Sequence, residues 1–335
     1  MIGELIRKVA ERGDLCAEEA HAAMSEIMSG QASPVQIASF LVAMRMKGET
    51  IAEVTEFARV MREHVVRMPA TTRPLVDTCG TGGDAIKTFN VSTAAAFVAA
   101  GAGVAVAKHG NRSVTSKCGS ADVLEALGVR FDLPPEAVAR CVDEIGIGFM
   151  FAPAYHPAMK HAAPIRRELG LRTVFNALGP LTNPAGAEAQ VLGVYAPELT
   201  ELHASVLRNL GSQRAFVVHG IGGLDELSTL GETRVTELRD GELRTYHLAP
   251  EELGLKRARA EQVQGRTPEE NAELLMSVLR GEDGPAREIV LLNAAAAIAA
   301  GGKAGTLAEA MPAAADAVDS GAALGKLEQL RAATV

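Results

Sequence analysis

Over roughly the first seventy positions, the apolar residues recur at helical spacing. Ile2, Leu5, Ile6 and Val9 fall on one face, as do Ala20, Met24, Ile27 and Met28. Ser33-Pro34-Val35-Gln36 reads as a capping box with proline at the first helical position, opening a helix through Ile37, Phe40, Leu41 and Met44. Thr50-Ile51-Ala52-Glu53 opens another through Val54, Phe57 and Met61, while Gly30 and Gly48 act as stops. The pattern predicts a small helical domain without strands, and its surplus of apolar surface calls for a partner.

From about Pro74 the pattern changes to short apolar runs alternating with helical stretches. The predicted strands are Leu75-Val76, Val104 to Ala107, Gly148 to Phe151, Gln190 to Val194 and Ala215 to Val218. Such alternation predicts an α/β domain around a mainly parallel central sheet. Arg234 to His247 reads as a polar hairpin turning at Asp240-Gly241, and Thr267-Pro268-Glu269-Glu270 caps a later helix.

At 335 residues the chain is long for one core, in keeping with two domains. With 47% apolar and 22% charged residues, it is not a disordered chain. Val91 to Ala107 is uncharged, but Gly101 and Gly103 divide it; Ile289 to Gly302 is too short for the roughly 20 apolar residues of a membrane span. Cys16, Cys79, Cys118 and Cys141 have neither metal-type spacing nor a secretory signal ahead of them, so reduced thiols and a cytoplasmic location are expected. A net charge of −8 argues against general nucleic-acid binding.

Against that acidic background, Lys108 to Asp122 (KHGNRSVTSKCGSAD) gathers Lys108, His109, Arg112 and Lys117 among amides and hydroxyls. A cationic loop between a strand and a helix at Ala121 to Leu127 suits a polyanion, because backbone amides and helix N-termini add partial positive charge. Gly80-Thr81-Gly82-Gly83-Asp84 makes a second turn after Leu75-Val76, and Thr88-Phe89-Asn90-Val91-Ser92-Thr93 then opens an alanine-rich helix. Its glycines permit close approach of main-chain amides to phosphate, although the spacing is neither a Walker loop nor a Rossmann fingerprint. Ser92 and Thr93 can each cap the helix, touch phosphate or ligate a metal. Gly222-Gly223-Leu224-Asp225-Glu226 places adjacent carboxylates after a strand, where they either share a hard cation or cap a helix.

Taken together, these loops resemble the anthranilate phosphoribosyltransferases of tryptophan biosynthesis. The matching pieces are GTGGD with TFNVST (Gly80 to Thr93), KHGNRSVTSKCGSADVLEALGV (Lys108 to Val129), FAPAYHPAMKHAAPIRRELGLRTVFNALGPLTNPA (Phe151 to Ala185) and GGLDELS (Gly222 to Ser228). They stand in the family's order, and the resemblance spans essentially the whole chain. Two departures are visible: Ala85-Ile86-Lys87 where a further glycine is common, and Cys118 where serine is frequent.

The resemblance implies a nucleoside-phosphorylase-like fold: a helical domain at 1–70, joined by about 171–185, and an α/β domain at 71–170 and 186–335. It implies transfer of a phosphoribosyl group from 5-phosphoribosyl 1-diphosphate to the amine of anthranilate. Phosphoribosyl diphosphate would be held by Gly80, Gly83, Asp84, Thr88, Asn90, Val91, Ser92 and Thr93. Lys108, His109, Gly110, Asn111, Arg112, Ser113, Val114, Thr115, Ser116 and Ser120 would complete that cradle. Anthranilate would meet Gly80, Asn111, His156 and Arg166, and Mg²⁺ would be ligated by Ser92, Asp225 and Glu226. Lys108 and Arg112 are the expected catalytic cations, with His109 and His156 the candidates for proton transfer. Arg167 and Arg172 are expected to be structural, and Lys160 and His161 to lie on the surface.

A homodimer through the helical domain is expected, with no nucleic-acid or membrane partner. With the helical domain starting at Met1, fusion to a glutamine amidotransferase is not expected. A pyrimidine nucleoside phosphorylase would carry a Lys-x-Ser-Gly-Arg-Gly type loop in place of Lys108-His109-Gly110-Asn111-Arg112. A nucleic-acid-binding relative would be basic and stripped of loop residues, and a regulatory ligand-binding module would not need the acidic pair.

Overall fold

A computed structural model describes residues 1–83, 86–113 and 117–335. Asp84, Val114, Thr115 and Ser116, all expected in the substrate cradle, lie outside the described residues, as does Ala85.

Four helices come first: α1 (Ile2–Ala10), α2 (Ala17–Met28), α3 (Pro34–Lys47) and α4 (Ile51–Glu63). Both predicted capping boxes close. The Gln36 and Glu53 amides donate to Ser33 Oγ and Thr50 Oγ1, and the Ser33 and Thr50 amides donate back to the Gln36 and Glu53 side chains. These reciprocal bonds satisfy amides that a helix start otherwise leaves orphaned. Glu53 is fully buried, and Lys47 Nζ, 2.9 Å away, supplies its counter-charge.

The remainder alternates as β1 (Leu75–Gly80), α5 (Val91–Gly101), β2 (Ala105–Gly110), α6 (Ser120–Ala126), α7 (Pro135–Arg140), β3 (Ile147–Phe151) and α8 (Ala152–Tyr155). Then follow α9 (Ala163–Leu169), α10 (Val174–Leu178), β4 (Ala189–Gly193), α11 (Leu199–Asn209), β5 (Arg214–Gly220), β6 (Thr233–Arg239) and β7 (Glu242–Leu248). Helices α12 (Pro268–Leu279), α13 (Pro285–Ala300), α14 (Leu307–Asp319) and α15 (Ala322–Ala333) finish the chain. The sheet order is β3-β2-β1-β4-β5-β6-β7, with β1 to β5 parallel and the β6–β7 hairpin antiparallel at one edge.

Strand alternation feeds two large cores and a smaller one in which Leu75, Ala107 and Met150 meet Tyr155. Val191, Phe216 and Val218 face α5, α13 and α14, while Leu192, Ala215 and Val217 face the core that holds α1 to α4. Val174, Phe175, Leu178 and Leu181 join that second core. Strands β1 to β5 are therefore buried on both faces, as parallel strands are, while the edge strand β7 is largely exposed.

One boundary differs from the expectation. Lys108, His109 and Gly110 belong to β2, which pairs with β3 as far as Gly110↔Phe151, rather than to the loop that follows. Lys108 and His109 are consequently buried, at 3% and 7% exposure. A polar residue continues a strand here because ladder pairing with β3 satisfies its backbone.

Candidate functional site

The chain moves outward from β1 to β2 and β3, then returns to β4 on the other side of β1. Open α/β sheets bind ligands at such a reversal, beyond the carboxyl ends of the strands. The crevice is framed by Gly80 and Gly193, which pair across β1 and β4. Asp225 enters it. The Gly82 amide donates to Asp225 Oδ2 at 2.9 Å, and a Cβ on Gly80 would stand 2.5 Å from that oxygen. A Cβ on Gly193 would overlap the Asp225 carbonyl. Gly193 escapes a reading of the sequence because it sits in an ordinary apolar strand.

Lys108 reaches the same edge from β2. Its ammonium donates to the Thr78 carbonyl and, at 3.2 Å, to Ser92 Oγ at the start of α5. Burial pulls its pKa down, while Asp77, Cys79 and Glu226 push it back up. A hydroxyl and two carboxylates on neighbouring loops are the hard oxygen donors that suit Mg²⁺, so Ser92, Asp225 and Glu226 fit that ion by the chemistry of the set. No group of three or more His, Cys, Asp or Glu side chains suited to a metal occurs among the described residues.

The loop after β2 is held by its own carboxylates. Asp122 Oδ2 accepts from the Ser113 and Gly119 amides at 3.0 and 2.8 Å. The Arg112 guanidinium donates to Asp122 at 2.7 Å and to Glu125 at 2.9 and 3.0 Å, and lies 5.0 Å from the Phe131 ring. Arg112 was expected to face the departing group; its charge is instead engaged within the loop, because Asp122 and Glu125 lie on the adjoining helix within reach. Asn111 Oδ1 caps the Arg112 amide at 2.8 Å, and Ser120 Oγ takes the Asn111 amide at 3.1 Å.

Several other expected contacts have different neighbours. Asn90 turns to Asn271 and Cys118: Asn271 Nδ2 donates to Asn90 Oδ1 at 3.0 Å, and the Cys118 thiol does so at 3.3 Å. A thiol thus fills the donor position at Cys118. The Val91 and Thr93 side chains are buried, and Thr88 pairs with Gln264 in an isolated bridge.

On the acceptor side, His109 and His156 meet through their Nε2 atoms at 3.2 Å, with rings 5.0 Å apart. Burial, then the neighbouring His156, lowers the His109 pKa to about 3 against the Gly179 carbonyl; burial alone lowers that of His156 to about 4. Both are neutral near pH 7. Because the Gly179 carbonyl takes a ring proton of His109, Nε2 of His109 accepts and Nε2–H of His156 donates. Imidazoles this acidic are poor general bases, and the pair reads as a rigid wall. Arg166 on α9 is half-buried with its guanidinium 5.2 Å from the Phe175 ring. Arg167 and Lys160 are exposed and His161 half-exposed, apart from this cluster. Arg172 is stacked 4.0 Å from the Tyr195 ring and donates to the Gly83 carbonyl at 2.9 Å, a tie that no sequence signal announced.

Comparison with known proteins identifies the family. Residues 3–65 match the helical bundle domain of the glycosyl transferase family, and residues 72–324 match its a/b domain. The anthranilate phosphoribosyltransferase of Symbiobacterium thermophilum is 58% identical over 98% of this chain and 96% of its own. That of Moorella thermoacetica is 56% identical, covering 98% and 97%. Among solved structures, the Thermus thermophilus enzyme superposes with a TM-score of 0.93 at 49% identity, covering 98% of each chain. The Saccharomyces cerevisiae enzyme in complex with PRPP and Mg gives 0.90 at 30% identity, covering 99% and 97%. The chain belongs to the glycosyl transferase family, among its anthranilate phosphoribosyltransferases.

Proposed function

We propose that, in transferring the 5-phosphoribosyl group of 5-phosphoribosyl 1-diphosphate to the amine of anthranilate, the chain divides the work between the two sides of the β1–β4 crevice. The observation that carries this reading is the meeting of Lys108, Ser92 and the Asp225-Glu226 pair where the strand order reverses. The amine of anthranilate is already nucleophilic when neutral, so the larger demand is to stabilise the departing diphosphate and the cationic ribose. Lys108 is a preorganised, buried cation for the first task. The turns at Gly80 to Gly83 and Asn111 to Ser113 shape the phosphate cradle, their amides at Gly82, Asn111, Arg112 and Ser113 being held by Asp225, Ser120, Asn111 and Asp122.

Ser92, Asp225 and Glu226 would hold Mg²⁺, as the chemistry of the set and the magnesium in the yeast structure support. When bound, Mg²⁺ neutralises charge on the diphosphate. Asn111 and Arg166 bind anthranilate, the planar and permanently charged Arg166 fork suiting a carboxylate. His109 and His156 wall the acceptor side and hold the amine's path dry without taking its proton.

We assign residues 1–70 with 171–185 to the helical domain and the rest to the α/β domain; the core shared by α1 to α4 with Val174, Phe175 and Leu178 supports this division. We also propose a homodimer through α3, whose outer face leaves Val35 and Met46 at 75% and 71% exposure. A cytoplasmic setting fits four cysteines that remain thiols and the lack, among the described residues, of a helix long and apolar enough to cross a membrane.

The test is loss of anthranilate fluorescence on adding phosphoribosyl diphosphate and Mg²⁺. Turnover that stops in EDTA and in Asp225→Asn/Glu226→Gln is expected. Turnover persisting in either condition would remove the metal assignment, and none in the wild type would remove the reaction.

A further inference from the structure

Beneath the acceptor wall lies a polar cluster that the steps above do not use. Asp77 on β1, Gln190 on β4 and Asn183 in the segment before β4 are 0%, 5% and 5% exposed. The β1–β2 ladder ends at Val76↔Val106, whereas β1 continues beside β4 and β2 beside β3. Asp77 spans the gap that opens there. Its Oδ1 accepts the His109 amide at 3.0 Å, and its Oδ2 accepts Asn183 Nδ2 at 2.7 Å. Asn183 Nδ2 also donates to the Ala107 carbonyl at 2.9 Å, and Asn183 Oδ1 accepts the Ala185 amide at 2.9 Å. On the neighbouring strand, Gln190 Nε2 donates to the Pro180 carbonyl at 2.7 Å.

We propose that Asp77, bridged to Asn183, is a positioning residue that locks the end of β2 against the Gly179–Ala185 segment. Lys108 on the donor side and His109 on the acceptor side, both carried by β2, then keep a fixed position relative to that segment. The argument rests on cost. Burying a carboxylate is expensive unless donors surround it, and an aliphatic seam would serve packing alone at least as well. Here the groups bonded to the Asp77 carboxylate are donors, and its two bonds join β2, which carries Lys108 and His109, to Asn183 of the segment whose Gly179 touches the His109 ring. Burial raises the Asp77 pKa, while Lys108, Asn183 and His109 hold it down. A fixed distance between reactants matters steeply, since an error of about 1 Å can cost roughly a hundredfold in rate.

The inference rests on the transfer reaction proposed above, and wild-type turnover measured alongside separates failure of one from failure of the other. In Asp77→Asn, one amide N–H must face either the His109 amide or Asn183 Nδ2, so the bridge breaks without a change of volume. The turnover number should fall about ten- to a hundredfold well below the melting temperature, with both Michaelis constants within about threefold. Asn183→Ala removes the bridge from its other end and should lower the turnover number to a similar degree, again with both Michaelis constants within about threefold. Should Asp77→Asn not fold, Asn183→Ala and Asn183→Ser carry the same measurements. Turnover unchanged in folded variants, or loss that merely follows the folded fraction, would each overturn the proposal.

Discussion

His109 Nε2 and His156 Nε2 lie 3.2 Å apart, two buried imidazoles sharing one proton between strand β2 and the end of α8. Burial depresses both pKa values, to about 3 and about 4, and two cations could not occupy that distance in a buried site. The unfolded chain takes up these protons near pH 6.5, the folded one only near 3 to 4. The unfolded state therefore binds more protons in that window, so the pair's contribution is complete above about pH 6.5 and is lost as pH falls toward 4. The melting temperature should drop across this range, and His156→Asn should flatten the drop. Turnover should show no histidine step between about pH 6 and 8; an inflection near 6.5 that vanishes in His109→Asn would restore a general base.

Arg166 should act on one substrate alone. Its guanidinium stands beside Phe175, and the proposed role is to bind the acceptor's carboxylate. In Arg166→Ala the Michaelis constant for anthranilate should rise about ten- to a hundredfold, matching a charge-assisted bond of about 1.5–3 kcal/mol. That for phosphoribosyl diphosphate should stay within about threefold. Equal rises would mark the residue as structural.

At Gly193 the sheet itself makes room for a carboxylate. A methyl group there would overlap the Asp225 carbonyl and push the acidic pair out of the crevice. Gly193→Ala should weaken Mg²⁺ dependence, seen as a higher half-saturating concentration, more than it weakens anthranilate binding. An unchanged magnesium titration in a folded Gly193→Ala protein would dissociate the strand from the metal ligands.

Much of this was legible in the chain and some was not, for physical reasons. Helical periodicity and capping boxes are local, so α1 to α4 could be read from Ser33, Thr50 and their partners three residues on. The alternation of runs gave the strands, since each is buried on both faces. The start of the loop after β2 was misplaced because Lys108 and His109 are polar, and pairing with β3 is invisible to a pattern along one strand. The contacts of Asp77, Asn183, Gln190 and Arg172 escaped for a related reason. Their partners are 106, 111 and 89 positions away for the Asn183–Asp77, Gln190–Cys79 and Arg172–Gly83 contacts, and no local spacing encodes such a contact.

Arg112 separates two accounts of the loop after β2. In one its charge stabilises the departing diphosphate; in the other it keeps the loop in shape. The structure favours the second, because Asp122 and Glu125 take three of its donors, and Asp122 simultaneously caps the Ser113 and Gly119 amides. The burial of Asp122 raises its carboxyl pKa, but those amides and Arg112 outweigh burial and leave it lowered, so the clamp persists at neutral pH. A loop-holding Arg112 and Asp122 should give the same phenotype when removed. Arg112→Ala and Asp122→Asn are each expected to raise the Michaelis constant for phosphoribosyl diphosphate about tenfold, with the turnover number within about threefold. The double variant should be little worse than either single, since both break one clamp. If Arg112 instead leaves its carboxylates to meet the diphosphate, Glu125→Gln would tighten substrate binding, and Arg112→Ala would lower turnover by far more than Asp122→Asn. Steady-state kinetics on these four proteins decides between the two, and the three carboxylate contacts make the clamp the expected result.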